Sequence, residues 1–388
     1  MTIKSGTTFI LRLGVLLLCL IAPQLAWAQD QPKPADATPP PDPDKVTLNF
    51  FKGTEIGGLV DAYYFWNNNK VNPLYRAFDV LHNNFDVSMA EVWIAKSPTA
   101  DSRIGYKIRT TFGSAADLMA SASGQFALES PYKNIEEAYG SYLAPVGTGL
   151  QIDVGKFVTN AGAEVIEAKD DWNYSRSLLF QLAIPLYHSG IRLTYSPNDK
   201  VTLMGGVING WNDVHDNNTA KSVMASITYK PTAALSIVEN YIGGPEQPLD
   251  NTDWRHLSDT VLSYTVNPML SLMANYDYTT DTVSGARTTT QGVAGYLKYQ
   301  ANKWVAVVPR LEYFNDPEGA PWATGIAGQH LTDATVTLEV KPADTFMWRI
   351  EYRGDFSNKS PFINDDGVAK KNQQMILFGF LFNFSSKL

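Results

Sequence analysis

Polar and apolar residues alternate one by one over much of this chain. In "RIGYKIRTTF", Ile104, Tyr106, Ile108 and Phe112 share one side, while Arg103, Lys107, Arg109 and Thr111 share the other. "LTDATVTLEVK" sets Ala334, Val336, Leu338 and Val340 against Asp333, Thr335, Thr337, Glu339 and Lys341. "FMWRIEYRGD" sets Phe346, Trp348, Ile350 and Tyr352 against Met347, Arg349, Glu351 and Arg353. "LSLMANYDY" sets Leu270, Leu272, Ala274, Tyr276 and Tyr278 against Ser271, Met273, Asn275 and Asp277. Period two with one apolar face predicts half-buried strands. Two less regular stretches, "FDVSMAEVWIA" and 134–143, predict bulges. The last run is the most apolar, with Ile376, Phe378, Phe380, Phe382 and Phe384 on one face. Each such side chain gains roughly 1.5–3 kcal/mol on leaving water, so this face needs a protein core or a bilayer.

The connections separate those two environments. Short turns recur at 97–102, 144–149, 196–200, 230–234, 266–269, 300–303 and 341–345. Longer polar segments rich in Asn, Asp and Gly lie between them: 67–83, 114–133, 158–185, 209–220, 243–256, 280–289, 314–331 and 355–372. Seven short connections alternating with eight long ones imply 16 strands, or 14–18 if one hairpin is misassigned. Outer-membrane barrels are built that way, with short periplasmic turns, longer outer loops and an even strand number. Downstream of the first 28 residues the longest apolar run, "MILFGFLF", is too short for a membrane helix. A closed barrel, by contrast, satisfies every backbone group in lipid. The pattern predicts an all-β fold, a transmembrane antiparallel up-and-down β-barrel over 49–388.

Aromatic residues near expected strand ends fit girdles at the lipid–water boundary: Tyr63, Tyr64, Trp66, Trp93, Tyr195, Tyr229, Tyr241, Tyr299, Trp304 and Tyr313. The first 28 residues read as a signal peptide. Lys4 and Arg12 flank the start of "LGVLLLCLIA", and "AWA" ending at Ala28 offers small residues for cleavage. Cys19, the chain's only cysteine, lies in that segment, so the remainder cannot form disulfides. Residues 29–48 begin with the Pro-rich "QDQPKPADATPPPDPDK", whose composition cannot bury enough apolar area to fold. It reads as a periplasmic spacer, or as a tether to the cell wall. Net charge is −8, and residues 1–28 hold two cations and no acid, so the remainder stands at −10. That balance argues against a nucleic-acid partner.

No catalytic motif is present: there is no G-x-S-x-G, no H-E-x-x-H and no P-loop. His82, His188, His215, His256 and His330 are scattered, so no metal set and no cofactor site is expected. "NGWNDVHDNNTA" gathers oxygen ligands, Asn212, Asp213, Asp216, Asn217 and Asn218, but reads first as a solvated loop. Function is expected on the lumen face, where Arg103, Lys107, Arg109, Arg192, Arg310, Glu312, Glu339, Arg349, Glu351 and Arg353 are pore-lining candidates. Charged rings there bias which ions pass, or the same groups pair across neighbouring strands, Glu339 with Arg349 or Arg353. The segment 158–185 could fold inward and place Asp170, Asp171 and Arg176 at a constriction.

Two stretches carry a resemblance. "GGLVDAYYFWNNNKVNPLYRAFDVLHNNFDVSMAE" and "VGKFVTNAGAEVIEAKDDWNYSRSLLFQLAIPLYHSGIRLTY" resemble the first hairpin and central loop of the OmpL-like outer-membrane β-barrel porins of Gram-negative bacteria. The resemblance runs from about residue 50 to the C-terminus and implies a porin-like barrel. Many barrels end on an aromatic residue read by the barrel-assembly machinery, whereas here "SSKL" follows Phe384. The expected function is a passive channel for small hydrophilic solutes or ions, not an enzyme, seated in outer-membrane lipid. Porins of this size often form homotrimers. A non-conducting structural barrel and a barrel enzyme are the alternatives.

Overall fold

The alternating segments become the staves of one closed sheet in a computed structural model describing residues 51–123 and 131–387. The leader, the Pro-rich segment and the start of the barrel range at 49 lie outside the described residues. In chain order the strands are β1 (Glu55–Asn67), β2 (Phe85–Lys96), β3 (Ile104–Phe112), β4 (Ile135–Ala144), β5 (Leu150–Val158), β6 (Tyr187–Asn198), β7 (Val201–Ile208) and β8 (Ser222–Thr232). They continue as β9 (Leu235–Pro245), β10 (Trp254–Asn267), β11 (Leu270–Val283), β12 (Ala286–Gln300), β13 (Val305–Asp316), β14 (Gln329–Ala343) and β15 (Phe346–Ser357). A two-residue hairpin, β16 (Phe362–Ile363) with β17 (Ala369–Lys370), decorates one loop before the closing β18 (Asn372–Lys387). Two short helices, α1 (Ser114–Ser123) and α2 (Leu178–Leu182), also lie in loops.

Every barrel strand pairs antiparallel with its sequence neighbour, and β1 pairs with β18, closing sixteen strands without an edge. The closing register sets Val60, Ala62 and Tyr64 beside Phe382, Phe380 and Phe378. Those phenylalanines, with Ile376 and Phe384, face outward and are exposed. The bulges fall where the alternation falters, between Met89 and Val87 on β2 and between Glu137 and Ile135 on β4. No described helix is long and apolar enough to cross a membrane.

Three expectations need correction. The segment 280–289 is no loop: β11 and β12 run on to a two-residue turn at Ser284 and Gly285, both with positive φ. Such a turn matches the twist of a hairpin, and the polar residues flanking it belong to strands extended beyond the apolar belt. Tyr63 and Trp93 do not join an outer girdle. Tyr63 is buried inside, where its hydroxyl accepts bonds from the Val80 and Leu81 amides (3.0 and 3.2 Å). Trp93 lines an inner cavity. The remaining tyrosines of the set, Tyr64, Tyr195, Tyr229, Tyr241, Tyr299 and Tyr313, alternate with inward residues and lie on the outer face.

The hydrophobic core is not sandwiched between sheets. It sits inside the barrel, where Phe78, Met89, Phe157, Leu178, Leu179, Phe180 and Phe314 pack around loop segments. A second cluster joins Leu59, Phe65, Tyr174, Met347, Leu377 and Leu381.

Candidate functional site: a loop folded into the barrel

The connection from β5 to β6, residues 159–186, turns into the lumen. Its neck is closed by the Thr159 amide donating to Leu186 O (3.0 Å). Its apolar side chains Ile166, Leu178, Leu179, Phe180, Leu182 and Ile184 are all buried, and an outer loop in water could not hide them. Within it α2 is capped by Ser177, whose Oγ accepts the Phe180 amide (3.0 Å).

The barrel wall provides partners for this backbone on three sides. On the β13–β15 wall, Arg349 donates to the carbonyls of Ala168 (2.6 Å), Asn173 (3.0 Å) and Asp171 (2.5 Å). Arg310 donates to Ser175 O and Arg353 to Arg176 O, each at 2.5 Å. Carboxylates on the same strands take the loop amides: Glu351 accepts Tyr174 N (2.7 Å) and Ser175 N (3.1 Å), and Glu312 accepts Leu178 N (2.8 Å). Across the lumen, Asp259 accepts the Gly162 amide (3.0 Å) and Asn275 the Ala163 amide (3.1 Å). On the third side, Glu167 forms an ion pair with Arg109, and Tyr174 donates to Asp61 (2.5 Å). The Tyr174 ring lies against Gly379 of β18, where a Cβ would sit 2.3 Å from the ring. Residue 379 must therefore be glycine for the loop to seat.

The expected lumen residues fall into two groups. Arg310, Glu312, Glu339, Arg349, Glu351 and Arg353 point inward but are buried beneath the loop. All but Glu351, whose carboxylate takes loop amides and the Thr337 hydroxyl, are ion-paired: Arg349 with Glu339 (2.5 Å), Arg353 with Asp333 (2.8 Å) and Asp355 (2.7 Å), and Arg310 with Glu312 (2.8 Å) and Glu164 (2.9 Å). The Glu339–Arg349 pairing is one the sequence offered; Arg353 takes other partners. Arg103, Lys107, Arg109 and Arg192 lie away from that wall and are partly exposed. Arg103 donates to Leu143 O (3.0 Å).

Of the constriction candidates, Asp170 is exposed and paired with Lys169 (2.5 Å). Asp171 and Arg176 are buried and hold the loop's own shape: they pair at 3.3 Å, and Arg176 donates to Val165 O, Tyr174 O and Ile166 O. Burial pushes the Asp171 carboxyl up to about 8, a shift that nearby Glu164 reinforces and Arg176 opposes. Sequence reasoning missed Glu164, Glu167, Asn173 and Tyr174. One signal was available. The lumen side of β18 carries Met375, Leu377 and Leu381, apolar groups that water would not accept.

The loop separates cavities. Above it, one of about 510 Å³ is lined by Phe78, Phe180, Trp211, Asp213, Glu246 and Trp322 among others, and a neighbour of about 580 Å³ shares Trp322 and Leu182 with it. Below it, a cavity of about 300 Å³ is lined by Trp93, Lys107, Arg109, Tyr139, Ser141 and Gln151 among others. Among the described residues, Glu91, Glu136 and Glu167 also converge closely enough to hold a metal ion, but the Arg109 guanidinium already pairs with all three.

With this geometry described, the chain can be set beside known proteins. The family described as "Putative beta-barrel porin-2, OmpL-like" matches residues 53–384. No curated protein matches. Several solved structures share the fold. The anion-selective porin from Comamonas acidovorans is 9% identical, with a TM-score of 0.59 over 85% of this chain and 99% of that one. OmpT of Vibrio cholerae in its trimer form is 12% identical, with a TM-score of 0.57 over 85% and 99%. The outer membrane channel DcaP of Acinetobacter baumannii is 12% identical, with a TM-score of 0.54 over 85% and 97%. At such identities these likenesses establish the barrel and no more.

Proposed function

The chain belongs to the OmpL-like β-barrel porin-2 family of outer-membrane barrels, and from that premise we propose that it is a passive diffusion channel for small hydrophilic solutes and ions. The observation that carries the reading is the charged inner face. Arginines, lysines and carboxylates line strands whose other face is apolar, an arrangement that suits water inside and lipid outside. A barrel of sixteen strands is wide enough for an aqueous lumen. The loop 159–186 is the narrowing element, since its backbone is fastened to opposite walls at mid-height. Asp170 is the one exposed acid of the expected constriction set; Asp171 and Arg176 act by fixing the loop's shape. Lys107, Arg109 and Arg192 are the pore-lining set, and Arg310, Arg349 and Arg353 hold the loop. No catalytic step is assigned to the chain, and it needs no cofactor to pass solutes.

The proposed assembly is a homotrimer in outer-membrane lipid, delivered by the barrel-assembly machinery. One structural neighbour was solved as a trimer. A signal peptide cleaved after Ala28 and a Pro-rich arm reaching the cell wall complete the proposal. Planar-bilayer recording tests it. The reading predicts stepwise, ohmic conductance that rises when residues 166–178 are deleted. A folded, membrane-inserted protein without current, in both the full chain and the deletion, would favour a structural barrel instead.

A further inference from the structure

The net charge of the chain and the charge that the ion pairs of its lower wall expose differ in sign. The protein is acidic, at −8. Yet in the ion pairs of the lower wall the carboxylate lies against the strands and the cation reaches into the space; Lys107 and Arg109 line the chamber itself, as does one acid, Glu55, at the start of β1. Lys107 pairs with Glu137 at 2.5 Å, their side chains 24% and 3% exposed. Arg192 pairs with Asp153 at 2.9 Å, 18% against 1%. Across the barrel, on β12, Lys298 pairs with Glu339 at 3.0 Å, 23% against 8%. Arg109, 12% exposed, covers Glu91 and Glu136, each at 1%.

Side-chain length explains the order. A carboxylate ends one or two carbons from the backbone, whereas Lys and Arg carry their charge on long stems that extend past it. Wall groups then fix the acids from behind: Asp153 accepts the Ser141 hydroxyl (2.7 Å) and the Gln151 amide (2.9 Å), and Glu136 accepts the Thr111 hydroxyl. Lumen acids higher in the barrel are removed from water by the loop. Asp259, buried beside Asp277, accepts the Gly162 amide (3.0 Å). The exposed cations come from β3, β6 and β12, on well-separated parts of the wall, Lys107 and Lys298 near the periplasmic ends of their strands and Arg192 at the middle of β6. At physiological salt the Debye length is about 8 Å, so screening weights the exposed charge of a pair over the one held behind it. The nearer charge of each pair therefore dominates. Two pairs expose the acid instead, at 50% and 54%: Lys133–Asp117 stands at an outer loop, while Lys169–Asp170 belongs to the docked loop and sets one acid at the narrowing rather than on the chamber wall.

We propose that the lower chamber is electropositive to passing ions and that the channel selects small anions, such as carboxylates and phosphates, over cations. This rests on the porin reading above, and the experiment separates the two. A thiol placed in the lower chamber, Gln151→Cys in a Cys19→Ser background, is reacted with an anionic sulfonatoethyl and a cationic trimethylammonioethyl methanethiosulfonate. Rates are normalised to a free thiol. The expected result is a preference for the anionic reagent of about fivefold or more, as a potential near one kT would give, reduced in Lys107→Gln. This reading needs no current and no charge-deleted variant. A preference for the cationic reagent overturns the proposal. In parallel, the reversal potential of the unaltered protein under a KCl gradient should have the sign of chloride selectivity, and potassium selectivity overturns the proposal. Absence of current combined with the anionic preference at residue 151 overturns the channel reading while leaving the charge order standing.

Discussion

Single residues decide whether the inner loop stays docked. Arg349 supplies three bonds to loop carbonyls and one ion pair, all buried. Removing one partner of a buried charged network costs about 3–5 kcal/mol. Arg349→Gln is expected to loosen the loop by that order, seen as rapid proteolysis within 166–178 while the barrel still resists unfolding. Gly379→Leu should have the same effect by a different route, because the added side chain occupies the place of the Tyr174 ring. Protection of the loop equal to that of the unaltered protein in both variants would contradict this account. On the outer wall, Glu239 of β9 lies beside hydroxyls rather than a cation: Ser258 (2.8 Å) and Thr260 (2.5 Å) donate to its carboxylate. Thr260→Val should destabilise the barrel by about 1–3 kcal/mol, the cost of an unsatisfied buried acceptor. Glu239→Leu should be neutral or stabilising in lipid-based unfolding titrations.

At the scale of elements, strands were far more legible than loops. Period-two alternation depends only on which face is wet, so β3, β14 and β15 could be read residue by residue, and even the two bulges showed as faults in the pattern. The turn at Ser284–Gly285 was hidden because strands that rise out of the lipid lose their apolar face and resemble loop in composition. The docked segment 159–186 has no period, and its contacts join residues more than a hundred positions apart, such as Asn173 with Thr337 (2.7 Å). The outer loops carry a pH dependence. Asp213, between β7 and β8, has its carboxyl pushed up to about 7 by burial and by Glu246 and Asp216, against the pull of Arg255. Burial also pushes Glu246 up. A carboxyl whose folded value exceeds its unfolded one of 3.8 favours the packed state once protonated. Packing of 209–221 against 246–253 should therefore tighten as pH falls from about 7 towards 4 and level off above 7, where both states are ionised. Protection factors of amides 211–220, with the intrinsic pH dependence of exchange divided out, should be higher at pH 5 than at pH 8, and lower protection at pH 5 would contradict the assignment.

For the whole molecule, the fold follows from one requirement: each hairpin must satisfy lipid on one side and water on the other without leaving an edge. Strand number, closure by the phenylalanine-rich β18 and, save at the tight Ser284–Gly285 turn, the alternation of short and long connections were legible because that requirement acts on every strand. The occupancy of the lumen was not, because a loop that fills a barrel obeys no repeating rule. Cysteine scanning of 376–381 and 106–109 tests the central claim most directly, since the chain's only cysteine is Cys19. A fluorophore at 376, 378, 380, 106 or 108 should be quenched by a lipid-borne quencher and protected from an aqueous one. Thiols at 107 and 109 should react with a water-soluble reagent and show no lipid quenching. Uniform behaviour along either strand, or the opposite phase, would contradict the account.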